Sequence, residues 1–244
     1  MPNRASELEW DEAAPRAGGA ARGDPGRPTP AEGARRGGPR ATLTRARLVA
    51  AALELADAEG LDAVSIRRVA ARLGARPMSL YTHIASKDDL VALMLDEVSA
   101  ELLVPQLPDD WRSALRAIAR QALDAYLAHP WMLSAFGRRP PVGPNHLRRG
   151  EQSATVVAGL GIDPADAWTA LRIVHEWTMG HALHVVTLRE DAQLERQLAT
   201  ADPQAYPQMA KVFPALRGRP HDTSFDAALD VLLDGIERRF LARR

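Results

Sequence analysis

Apolar residues recur at helical spacing along most of this chain, and nearly every periodic run is bounded by a residue suited to start or stop a helix. Thr44 can cap a first helix whose inner face carries Leu48, Ala51, Ala52 and Leu55, and Gly60 can close it in a left-handed cap. Ser65 opens a second helix, with Ile66, Val69, Ala70 and Leu73 inward. Gly74 then supplies the permissive backbone that a sharp turn requires, and Pro77 suits the first turn of a third helix. Leu80 and Ile84 point that helix inward and leave Met78, Ser79, Thr82 and His83 outside. Two helices joined by so tight a turn form the unit whose second helix enters the major groove of DNA.

Beyond Leu90 the pattern stays helical. A fourth helix runs from Lys87 towards Leu103 on a stripe of Leu90, Leu93, Met94 and Val98, stopped by Pro105. A fifth spans Trp111 to Ala128 and breaks at His129-Pro130. A short segment from Trp131 to Phe136 leads to a proline-rich loop, Arg138 to Pro144, and helix resumes near Asn145 as far as Leu160. Asp163 caps a long helix with Pro164 at its first position; Trp168, Leu171, Val174, Met179 and Leu183 lie on it towards Leu188. The last helix, Ser224 to about Leu241, places Phe225, Leu229, Leu232, Leu233, Ile236 and Phe240 on one continuous seam. No strand pattern occurs. The expected fold is therefore all-α: a three-helix unit with a helix-turn-helix over 43–90 and a larger helical domain over 91–244.

Charge turns this fold towards nucleic acid. The chain is neutral overall, yet from Val64 to Lys87 it carries Arg67, Arg68, Arg72, Arg76 and Lys87 with no acidic residue among them. Such a face attracts phosphate and sets affinity and register, while the third helix reads bases. Ser86-x-x-Asp89 has the form of a capping box at the start of the fourth helix.

Gly74, then Leu80-Tyr81-Thr82-His83-Ile84, then Lys87 and Leu90 resemble the signature of the TetR-type transcriptional repressors, with Ile84 where most members carry an aromatic residue or valine. The resemblance implies that Tyr81 and His83 contact the phosphate backbone and that Met78, Ser79 and Thr82 approach bases. Arg67 would add a contact from the second helix, and Lys87 would bind phosphate beside a helix N-terminus. With Thr44, Arg68 and Arg76 these residues make up the candidate DNA-binding set. A looser resemblance to the effector domain of the tetracycline repressors runs through Trp111, Leu115-Arg116, Ala119, His129, Arg139-Pro140 and Trp177-Thr178-Met179-Gly180. Where those repressors hold magnesium and drug, this chain offers Phe136 or Gly137, Ile118 and His184, so tetracycline with magnesium is not the expected ligand.

An apolar effector site is expected in its place. Ile118, Ala122, Trp131, Phe136, Trp168, Leu171, Trp177 and Met179 are its candidate walls, and His146, His175 or His181 a source of an orienting hydrogen bond. The resemblance further implies a homodimer in which the Asp163 helix and the last helix pair with their mates across a two-fold axis, through Phe225, Leu229, Leu232, Ile236 and Phe240. A symmetric dimer reads a palindromic operator in double-stranded DNA. The expected function is thus a repressor released by a small hydrophobic or aromatic ligand. Alternatives are a metal-responsive regulator using His181 and His184, which lie three residues apart, and a constitutive DNA-binding protein.

Composition limits other classes. Residues 1–42 are rich in Arg, Gly and Pro with little aliphatic content, so a disordered tail is expected there, its basic part free to approach a minor groove. The tail lacks the continuous apolar run of a signal peptide, no later run is long enough to span a membrane, and a cytoplasmic protein is expected. The absence of cysteine removes disulfides and thiolate metal sites. No phosphate-binding Gly-rich loop or nucleophile elbow is present, and neither an enzyme nor a cofactor is expected.

Overall fold

The computed structural model describes residues 42–136, 142–188, 202, 204–211 and 221–241. The expectations for residues 1–41 of the tail, for loop residues 138–141 and for most of the Asp191–Pro220 linker lie outside these. Every regular element among the described residues is helical, as the spacing predicts. They are α1 (Arg45–Glu59), α2 (Ile66–Arg72), α3 (Pro77–Leu80), α4 (Lys87–Ser99), α5 (Trp111–Ala128), α6 (Trp131–Ala135), α7 (Pro144–Ala158), α8 (Pro164–Leu188) and α9 (His221–Ile236).

Caps fix the first half of the fold. The Thr44 and Ser65 side chains accept from the backbone N–H groups of Arg47 and Arg68, starting α1 and α2, and the Asp110 carboxylate accepts from Ser113 N–H to start α5. Gly60 does end α1, but at φ 83° and ψ 167°, an extended mirror region that only glycine visits readily, and a 3₁₀ turn over Leu61–Ala63 follows it. Gly74 turns the chain at φ 62° between α2 and α3. In the Ser86 cap of α4, the Asp89 carboxylate reaches back to the N–H of Ala85, one residue before the cap itself. α4 ends at Ser99, short of Leu103, because bonds from Ala100 and Glu101 to carbonyls three residues back tighten its last turn; Leu102 is nevertheless buried.

α4 is buried almost all round. Val91, Ala92 and Leu95 are inside along with the expected Leu90, Leu93, Met94 and Val98, since α1 covers one flank and α7 another. It is the shared spine of the reading unit and the larger domain. Behind it, α5, α7 and α8 pack together, with Leu115, Ala119, Tyr126, Val157, Ala170 and Val174 in one continuous core.

An ionic ladder fastens the last helix. Arg112, Arg116 and Arg120 recur every fourth residue on α5 and meet Asp234, Asp230 and Asp226 on α9 in antiparallel order, with Glu237 a further 3.1 Å partner of Arg112. Arg120 also lies over the ring of Phe225, 4.9 Å from its centroid. The register of this ladder turns the apolar seam of α9 into its own subunit. Phe225, Leu229, Leu233 and Ile236 are buried there, so Phe225, Leu229 and Ile236 belong to the subunit core, and the expectation that they form a dimer face is corrected. Leu232 and Phe240 are half-buried against the same core. The helix closes with a π-helical turn, Glu237–Leu241.

Candidate DNA interface and effector cavity

The reading unit presents a particular set of free groups. Leu80 and Ile84 anchor α3 and the turn after it, while Met78 is 74% exposed and Tyr81 48%. A methionine so bare on a one-turn helix is covered by nothing among the described residues, and thymine methyl groups in a major groove are an apolar partner of the right kind. Arg67, Arg76 and Lys87 have no acidic partner among the described residues. Arg68 does: Glu59 on α1 receives two of its N–H groups at 2.5 and 2.9 Å, which lowers the glutamate pKa and raises the arginine's. Arg72 is held in the same way by Glu54, at 2.7 Å. Among the described residues, the five-cation face of the sequence is therefore two neutralised pairs and three free cations, and Arg68, a member of the candidate DNA set, is engaged within the subunit.

Two of the base-reading candidates also have local bonds. The Ser79 hydroxyl donates to the carbonyl of Arg76 at 2.6 Å and that of Thr82 to the carbonyl of Ser79 at 2.8 Å. Their protons are spent, so each oxygen is left as an acceptor. The carbonyl of His83 accepts from Arg45 Nε at 3.3 Å, which ties the turn after α3 to the start of α1. Thr44 is exposed and occupied as the α1 cap.

In the larger domain a cavity of about 180 Å³ opens between α5, α7 and α8. Of the expected ligand-binding residues, Ile118, Ala122, His146, Trp168, Leu171 and His175 line it. Trp168 is 62% exposed, which places it at the mouth. The other four are elsewhere. Trp131 is buried at the α5–α6 corner with its indole N–H on Asp57, 2.7 Å away, and Phe136 meets the ring of Tyr126 edge-on. Trp177 stacks on Phe225 between α8 and α9, and Met179 is half-buried in the core. None of the four lines the cavity: Trp131 and Phe136 belong to α6 and its end, outside the α5–α7–α8 walls, and Trp177 and Met179 lie on other sides of α8 than Leu171, His175 and Thr178. The sequence reading missed Arg149, Ser153, Arg172 and Thr178, polar residues that line the cavity. Arg149 could have been found from one signal only: on the α7 periodicity it falls one turn after His146.

The cavity histidines are held neutral. Burial, then the charges of Arg149 and His146, pull His175 down to about 4, and Arg149 donates to its Nδ1 at 2.8 Å. His146 is lowered by burial and Arg149, against Asp96. His181 sits in the aromatic stack, 5.1 Å from the Phe225 ring, whereas His184 is exposed; among the described residues no group of three or more His, Asp or Glu side chains gathers where a metal ion would bind.

Asp96 joins the cavity to the spine. Buried on α4, its carboxylate accepts from the backbone N–H of His146 in the first turn of α7, 3.0 Å away, and Gly143 just before α7 leaves the space that the carboxylate fills. A second link runs through Asp57 of α1, which bonds both Trp131 and His129; the far nitrogen of His129 lies 3.2 Å from Glu101.

Comparison with known proteins agrees with this arrangement over both parts. The family model for bacterial regulatory proteins of the tetR family matches residues 48–94, and the model for the tetracyclin repressor-like C-terminal domain matches residues 104–240. The chain is a ligand-responsive DNA-binding repressor of the TetR family. It is 34% identical to the HTH-type transcriptional repressor DrrR1 of Streptomyces coeruleorubidus over 85% of this chain and 82% of that protein. Tetracycline repressor class A of Escherichia coli is 29% identical over 74% of this chain and 84% of its own length. Among solved structures, ActR of Streptomyces coelicolor in complex with actinorhodin superposes with a TM-score of 0.70 at 27% identity, covering 80% of this chain and 97% of that one. In this TetR-family chain, no helix among the described residues is long and apolar enough to cross a membrane.

Proposed function

We propose that this repressor binds a palindromic operator as a homodimer and is released by a hydrophobic or aromatic effector in the α5–α7–α8 cavity. The observation that carries the reading is the Asp96 link. α4 starts at Lys87, a free cation at a helix N-terminus, and at its other end Asp96 caps the helix that supplies the cavity with His146. An effector that moves α7 pulls on α4 through that bond, and the movement of α4 displaces Lys87 and α3 from their phosphates. Operator affinity falls, and by linkage the operator weakens effector binding by the same factor. The complex of ActR with actinorhodin supports an organic effector.

The dimer surface is drawn from the outer face of α8. Thr169, Ile173, Gly180 and Leu183 recur there at 4, 7 and 3, solvent-facing, with Leu183 53% exposed, and on α9 Val231 is 72% exposed beside Ala227, Ala228 and Gly235. Apolar and small residues at that spacing suit close helix packing against a second copy. A cytoplasmic location and a non-enzymatic role follow from the same reading. Selection of binding sites from a random duplex pool, followed by salt titration of the winner, tests it. A palindrome with a steep salt slope is expected, and recovery of a single half-site, or of no sequence, refutes the dimeric operator reading.

A further inference from the structure

The cavity holds a cation with no counter-ion. Arg149 and Arg172 both line it, together with two histidines and no aspartate or glutamate. Arg172 lies 3.6 Å from Glu176 on its own helix, so its charge is met. Arg149 donates to His175 Nδ1 and lies next to the Tyr126 hydroxyl, and no carboxylate pairs with it among the described residues. The nearby Asp96 carboxylate is occupied as the α7 cap.

Two groups next to Arg149 can donate as well. With Nδ1 accepting from Arg149, neutral His175 carries its proton on Nε2. Tyr126 is fully buried, and its hydroxyl lies beside Arg149 without meeting hydrogen-bond geometry with it or with any other group among the described residues. Burial raises its pKa, with Arg149 acting against that, so the phenol keeps its proton. The Arg149 guanidinium, among the same walls as Ile118, Ala122 and Leu171, gives an apolar slot a positive end, with the Tyr126 hydroxyl next to that guanidinium. Leaving such groups unpaired under a bound ligand costs far more than pairing them. A neutral hydrophobic ligand would do the former. An anionic oxygen would do the latter, and a carboxylate matches the guanidinium fork in two bonds.

We infer that the effector of this repressor is an organic acid: an apolar, aromatic body whose anionic oxygen, carboxylate or acidic phenol, is bound by Arg149 with help from Tyr126. This rests on the cavity being the effector site. It narrows the ligand class from hydrophobic to amphipathic and anionic, and it gives Arg149 the specificity role that no wall residue fills.

A matched pair of probes tests it on the full chain: 2-naphthoate against 2-naphthamide, which has the same shape without the charge, with 2-naphthol and a more acidic nitro-substituted naphthol separating phenolate from carboxylate. Titration calorimetry at neutral pH should show naphthoate binding at least about tenfold tighter than the amide. Arg149→Gln should erase that preference while leaving the amide within about twofold, and Arg149→Lys should restore part of it. Tyr126→Phe should weaken the acid alone. Equal affinity of acid and amide for the unaltered protein overturns the inference, a result that needs no variant to fold; so does a preference that survives Arg149→Gln. If the amide binds and releases operator DNA while the acid does not, the anion inference fails and the effector cavity stands. Binding by none of the probes counts against both. Stronger binding by the acidic naphthol than by naphthoate would keep the anion and assign it to phenolate.

Discussion

The DNA-reading unit and the effector cavity are built from opposite kinds of contact. In the reading unit, α1, α2 and α3 fold against one another within about 40 residues of chain, and the groups that matter are those left without a partner: Met78, Arg67, Arg76 and Lys87. The cavity is assembled from α5, α7 and α8, whose lining residues run from Leu115 to Thr178, and most of its polar groups are engaged. A reading surface needs exposed groups on a rigid frame. A sensing cavity needs groups whose partners change when a ligand arrives, and there a cation with no carboxylate partner among the described residues, Arg149, is inside.

If the frame of the reading unit is rigid, its anchor should be the costliest residue to lose. Leu80 has no exposed surface and holds α3 to the unit. Leu80→Ala should cost about 2–5 kcal/mol in urea denaturation and abolish operator binding. A loss well under that range would mean that α3 is held by its turn alone, and the contrast between the two regions would fail on its first half.

The joint between the regions comes next. Asp96→Ala leaves the His146 N–H without its acceptor inside the protein, at about 1–3 kcal/mol. Operator binding without effector should survive, and release by effector should weaken. Gly143→Ala offers an independent approach, because a methyl group there collides with the Asp96 carboxylate. Full effector response in both variants would show that the cavity reaches α4 by another path.

These differences explain how far the sequence can be read. Thr44, Ser65, Gly74, Pro77 and Ser86 each act on neighbours a few residues away, so the reading unit was legible down to its caps, and Leu80 and Ile84 were placed correctly inside. The pairing of Arg68 is not legible in the basic run because Glu59, its partner, lies before that run and on another helix. The cavity was legible in outline: six of its walls are visible as apolar or histidine positions, but Trp131, Phe136, Trp177 and Met179 are as apolar as true walls. What separates them is the placement of α6 outside the cavity for the first two and the side of α8 they occupy for the last two. The α9 seam was read as apolar, as it is, but which body it faces is decided by the Arg112–Arg116–Arg120 ladder, a register between residues more than 100 apart.

The free and paired cations of the reading unit give a smaller and sharper contrast. Lys87→Ala should lower affinity for every duplex and reduce the slope of log affinity against log salt by about 1. Arg68→Ala should change that slope much less, because its charge is on Glu59. Thr82→Ala should relax preference at particular bases with little change in slope. A slope change for Arg68→Ala equal to that for Lys87→Ala would show that the Glu59 pair opens on DNA.

The smallest expected effect separates two histidines by sign. His129 bridges Asp57 of the reading unit and Glu101; burial lowers its pKa, but the bonds and charges of those two acids raise it above 6.5 overall. The stability it contributes is fully present below pH 6.5 and is lost as pH rises through the raised value. His175 in the cavity is held down at about 4 by burial and by Arg149, so the unfolded chain takes up a proton that the folded one refuses, and stability is lost as pH falls from 6.5 towards 4. His129→Gln should therefore flatten the alkaline arm of a stability-against-pH profile, and His175→Gln should flatten the acid arm beyond what the carboxylates alone impose. The two arms report different parts of the molecule, since one bond set spans reading unit to larger domain and the other lies within the cavity. Should His129→Gln alter the acid arm instead, the Asp57 bridge is not the charged contact that the geometry makes it. Should an acid probe bound at Arg149 raise the acid arm in the unaltered protein, the probe has offset the positive charge that keeps His175 neutral.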